Sequence, residues 1–174
     1  AVSELQEPNN WFNKAFRLLK PSRTIPITPW RAESTWSLGS GNHQLQRIFF
    51  LIFGLTLFGI GEAFLVVTGL GNSPWVVLSE GISLNSNFSI GQSTFLVSVA
   101  VLAFWIPLKQ MPGFGTIANI VVIAASLEIG LSIIPEVSNV FVKYSYVLVG
   151  IGLVGVGSAL YITCGLGTGP RDGL

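Results

Sequence analysis

Charge is what this sequence has least of: Asp, Glu, Lys and Arg make up 10% of its 174 residues, against 50% hydrophobic. An ordinary soluble domain carries about a quarter charged residues, so that class is excluded and lipid is the expected solvent. Nine basic and eight acidic side chains leave a net charge of +1, and six of the nine Lys and Arg precede residue 48. No basic surface remains for a phosphate backbone, which excludes a nucleic-acid partner. Cysteine is nearly absent as well. Cys164 stands alone, so it can form no internal disulfide, and with no Cys or His cluster beside it there is no metal site to expect. HExxH, Walker and nucleophile-elbow patterns are missing, which argues against an enzyme and against any cofactor. No apolar block occurs before Ile48, so a cleavable signal is not expected either.

Apolar length is what the sequence does have. A hydrocarbon core of about 30 Å needs about 20 residues of helix with every backbone group satisfied internally. Four blocks meet this requirement: 48–70, broken only by Glu62; 91–108, ending beside Pro107; 114–134, with Asn119 and Glu128; and 144–164. The expected fold is therefore all-α, a polytopic helical membrane protein with four transmembrane helices present. Arg47, Lys109 and Arg171 fall on one side of such a topology, and only Lys143 dissents. The positive-inside rule then puts the N-terminus in the cytoplasm. Trp75, Tyr144 and Tyr146 would mark the outer interface and Trp105 the inner one. The tail, 1–46, is polar and linker-like, with one amphipathic helix expected at about 9–20. There Trp11, Phe12, Ala15, Phe16 and Leu19 share a face suited to the inner leaflet or to packing on the protein.

One phrase is written twice, GLGNSPWVVL from Gly69 and GLGTGPRDGL from Gly165. At an offset of 96, residues 51–78 and 147–174 share ten identities in twenty-eight positions, including Gly54/Gly150, Gly59/Gly155, Gly61/Gly157, Ala63/Ala159 and Pro74/Pro170. The copies fall on the first and fourth spans, which must cross the membrane in opposite senses. The pattern predicts an inverted three-helix repeat, complete over 47–137 and begun over 138–174, with the second repeat incomplete. Ending inside the second motif, the sequence reads as a C-terminally truncated fragment. Inverted repeats are a recurring basis of secondary transporters, whose sites form at broken helices between the halves.

Each motif predicts such a break. Gly69 and Gly71 end a helix and Pro74 suits the first turn of a short following one, leaving free N–H groups near Trp75 for an anionic or carbonyl ligand. Gly165, Gly167 and Pro170 repeat the pattern, with Arg171 in the place of Trp75 and Asp172 after it. The alternative is a tight turn at the membrane surface. Glu62 and Glu128 are the costliest residues, because an intramembrane carboxylate must face a cavity, pair, or take up a proton. They are candidates for an ion or proton pathway, alongside a structural use in which each bonds a neighbouring helix. Asn119 is read as interhelical glue or as a contact to a polar substrate.

GLGNSPWVVLSEGIS, the SIGQ opening the second span, GFGTIAN with Glu128, Gly130, Leu131 and Pro135 after it, and GLGTGPRDGL together resemble the YczE/YitT family of bacterial multi-spanning membrane proteins, closest to the YczE type. The resemblance covers about three quarters of the chain and implies a six-helix-class protein of the bacterial cytoplasmic membrane, without implying an activity. The long tail and Glu62 depart from its pattern. Two functions stay open: a permease for an unknown small solute or ion, acting by alternating access with a core small enough to suit a homo-oligomer, or a non-transporting scaffold or regulatory factor acting on other proteins.

Overall fold

The computed structural model describes residues 30–36, 43–170 and 172. The amphipathic segment at 9–20 and Arg171 lie outside them. The described residues form five α-helices and no strand: α1 Gln44–Thr68, α2 Pro74–Leu84, α3 Ile90–Phe104, α4 Phe114–Ile133 and α5 Val140–Thr163. Three of them, α1, α4 and α5, are long and apolar enough to cross a membrane. At 1.5 Å per residue they run about 30 to 37 Å, the thickness of a hydrocarbon core. The second expected span is shorter: α3 has 15 residues, about 22 Å, because the chain turns at Trp105 and Lys109 takes a positive φ of 53°. The short helix expected to start at Pro74 is α2, with Pro74 in its first turn.

Local chemistry fixes the helix ends. Ser89 caps α3 in a reciprocal box with Gln92, the side chain of each accepting from the backbone N–H of the other. Asn139 accepts from Phe141 N–H at the start of α5. Gly69 closes α1 in the left-handed region, at φ 61°, and its repeat counterpart Gly165 has φ 68°. Gly71 and Gly167 are also positive, at 146° and 114°. The two copies therefore make turns of one kind, in a conformation that disfavours residues with a Cβ.

α1 is the axis of the bundle, and small residues set how closely its neighbours approach. A Cβ at Gly54 would lie 2.9 Å from the Gly157 carbonyl, and one at Gly61 would lie 2.8 Å from that of Gly150. Position rises on one helix as it falls on the other, so α5 runs antiparallel to α1. On another face, Gly59 meets Ile123, Ser126 and Leu127, and Ala63 meets Gly130, so α4 runs parallel to it. Leu51, Leu55, Phe58, Tyr161, Cys164 and Leu166 make the buried core between α1, α5 and the second motif.

Candidate functional site

The two motifs approach one cavity. Trp75 and Val76, just after the first break, line it together with Pro170 of the second motif, Phe58 and Glu62 of α1, Thr94 and Ser98 of α3, and Asn119 and Leu127 of α4. The space open to water centres is about 20 Å³, room for about one water. The walls are mixed, with apolar side chains interrupted by a carboxylate, a carboxamide and two hydroxyls.

Glu62 is 2% exposed. The Ser73 hydroxyl, at the N-cap of α2, donates towards both of its oxygens at 3.0 and 3.1 Å. This pair ties α1 to the start of α2 across the break. The carboxyl group at this helix start is thus the protein's own. Beside it Asn72 donates from Nδ2 to Glu80 at 2.7 Å, which braces the turn from within α2.

The second motif is braced differently. Its backbone enters the bundle beside α4: Gly115 N–H donates to the Leu166 carbonyl at 2.8 Å, the Thr116 hydroxyl to Thr168 O at 2.7 Å, and Trp105 Nε1 to Pro170 O at 3.1 Å. Trp105, expected at the interface, is 4% exposed, because this bond draws its indole inward. The Tyr161 hydroxyl donates to the Asp172 carboxylate. Each copy thus carries a bond from the helix before the turn to the segment after it, at positions that differ by three under the 96-residue offset. The carboxylate is on the helix in the first copy and beyond the break in the second. A Cβ at Gly169 would lie 3.0 Å from both Asn119 Nδ2 and Asp172 Oδ2, so both side chains flank Gly169 of the second motif.

The first turn of α1 and the residues before it close that end. Arg47, expected on the cytoplasmic side of the first span, is 8% exposed; its Nε donates to Trp30 O at 2.7 Å and Nη2 to Arg31 O at 3.1 Å. Ala32 N–H donates to the Cys164 carbonyl and Phe114 N–H to Thr35 O. Residues 30–35 form a strap over the second motif, with Cys164 buried beneath it.

Glu62, Asn119 and Pro170 line the cavity, and Asp172 is adjacent through Gly169. Glu128 does not line it. That residue is exposed, and one carboxylate oxygen accepts from Gly91 N–H at 3.0 Å, at the start of α3 where a negative charge is favoured. Sequence reasoning passed over Ser73, Thr94, Ser98 and Tyr161. The repeat does not point to Ser73 or Tyr161, whose counterparts at the 96-residue offset are Gly169 and Leu65; Thr94 and Ser98 follow only from how α3 is turned.

Long apolar helices and buried polar groups around one cavity define a helical membrane protein. The chain belongs to DUF6198, a family of unknown function, whose pattern matches residues 45–174. It is 47% identical over 155 residues to an uncharacterized protein of Haemophilus influenzae, covering 89% of this chain and 69% of that one. It is also 27% identical over 128 residues to the uncharacterized membrane protein YczE of Bacillus subtilis, covering 73% of this chain and 57% of YczE. The YczE-type resemblance of the motifs therefore holds across most of the chain. No solved structure matches it significantly.

Proposed function

We propose that this protein is a permease of the bacterial cytoplasmic membrane, moving a small solute or ion by alternating access between two inverted repeats. In this reading α3, extended by the turn after Phe104, is the fourth span, and the N-terminus is cytoplasmic. The observation that carries it is the convergence of both broken-helix motifs, with buried Glu62, on one cavity. The packing of α1 on α5 supports the inverted relation, because it is crosswise under the 96-residue offset. Gly54 meets Gly157 while their counterparts Gly150 and Gly61 meet each other; Gly54 meets Tyr161 while Gly150 meets Leu65; Gly157 meets Phe58 while Gly61 meets Val154. Reciprocal contacts of this kind are what a two-fold relation generates.

Each break then acts as a gate on its own side. Protonation of Glu62, or a cation beside it, weakens the charge-assisted bonds from Ser73 and frees the start of α2. The Tyr161–Asp172 bond plays the matching part at the other end. Because Glu128 is engaged at α3, the coupling role rests on Glu62.

Vesicles reconstituted with the protein and loaded with a pH indicator test this, challenged with a panel of small amines, carboxylates, amino acids and monovalent cations. The expected result is protein-dependent solute entry with a pH-dependent rate, the pH dependence being lost in Glu62→Gln. A folded protein that moves none of the panel at any pH or gradient contradicts the permease reading and leaves a scaffold.

A further inference from the structure

The same two residues have opposite surroundings in the two repeat copies. Gly59 and Ala63 of α1 are buried, with Gly59 against Ile123, Ser126 and Leu127 and Ala63 against Gly130. Their identical counterparts on α5, Gly155 and Ala159, are exposed. A Cβ at Gly155, or at neighbouring Gly152, would meet no described residue within 4 Å. Around them Leu148 is 72% exposed, Ile151 58%, Val156 54% and Ile162 51%. The residues of this α5 face spaced as 148, 152, 155, 159 and 162 fall on one side of a helix.

Small residues at such spacing give no advantage against lipid tails, which pack against Leu as readily as against Gly; their benefit is close approach of a second backbone. In α1 that benefit is realised by α4. We propose that the Gly155–Ala159 face of α5 seats a transmembrane helix equivalent to α4, running parallel to α5 and supplied by the same polypeptide as the third helix of the second repeat. The inference rests on the inverted-repeat reading. The length of the Haemophilus relative, of which this chain matches 69%, leaves room in such proteins for a helix pair of this kind. The occupant presents a small residue where α4 presents Ser126, and an apolar ridge like Ile123 and Leu127.

Alanine and leucine substitutions at the two equivalent positions test it in the full-length protein as expressed from its gene. On a lipid-facing helix, Gly→Ala raises stability through helix propensity; at a packed glycine the added Cβ lowers it. The expected result is that Gly155→Ala lowers the thermal midpoint in detergent, as Gly59→Ala does, and that Gly155→Leu lowers it further at unchanged oligomeric mass. Gly81→Leu serves as control, because a Cβ at Gly81 also meets no described residue within 4 Å. A raised or unchanged midpoint for Gly155→Ala overturns the proposal in favour of lipid. A midpoint that falls together with loss of an oligomer overturns it in favour of a second copy. The underlying repeat is tested apart from this, since Gly54→Ala and Gly150→Ala must cost the same if it holds, whatever Gly155 does.

Discussion

α1 and α5 begin from nearly the same phrase and end in different company. In α1 the small residues serve two partners, with Gly54 and Gly61 turned to α5 and Gly59 and Ala63 to α4. In α5 only the first set is engaged: Gly150 and Gly157 are buried, whereas Gly155 and Ala159 are exposed. The breaks differ in a parallel way. The first is held by a helix carboxylate accepting from a loop hydroxyl, the second by a helix hydroxyl donating to a loop carboxylate. The comparison teaches that a repeated motif preserves backbone geometry, seen in the paired positive φ values of Gly69/Gly165 and Gly71/Gly167, while side-chain chemistry is reassigned around it.

The comparison breaks most sharply at the α1–α5 contact. Gly54→Leu and Gly150→Leu each place a side chain onto a carbonyl 2.9 Å from the Cβ position, and overpacking with no room to relax costs about 1–3 kcal/mol or more. Both should abolish monodisperse folded protein to the same degree, read by size-exclusion yield and thermal melting. Unequal losses would show that the two helices are not equivalent.

The strap sharpens the contrast between the two ends. Arg47→Ala removes two charge-assisted bonds to Trp30 and Arg31 carbonyls, each worth about 1.5–3 kcal/mol. The cost should fall on the strap and second motif and not on the first break. Cys164, as the single thiol, reports it: maleimide labelling should accelerate tenfold or more in Arg47→Ala, and less in Arg47→Lys. Labelling at the wild-type rate would mean that the strap does not cover the thiol.

Much of this architecture was legible in the sequence because lipid leaves few choices. Apolar length alone marked α1, α4 and α5 within a few residues, and Gly-x-Gly-x-x-Pro marked the turns that end α1 and α5. The short α2 followed from Pro74. What escaped was decided by tertiary packing. Arg47 reads as a cytoplasmic charge until the residues at 30 and 31 bring carbonyls to it, and Trp105 reads as an interface anchor until Pro170 offers an acceptor. Glu62 and Glu128 look alike along the chain, both being carboxylates inside apolar runs. They part because Gly91 brings the start of α3 to one and Ser73 brings the start of α2 to the other.

The claim that both motifs gate one cavity is tested most directly at Ser98, a cavity-lining residue that is 5% exposed. In a Cys164→Ser background, Ser98→Cys should react with a membrane-impermeant maleimide from either face of oriented vesicles, each face in turn being protected when the other is open. Reaction from a single face under every condition, or from neither, would contradict the account.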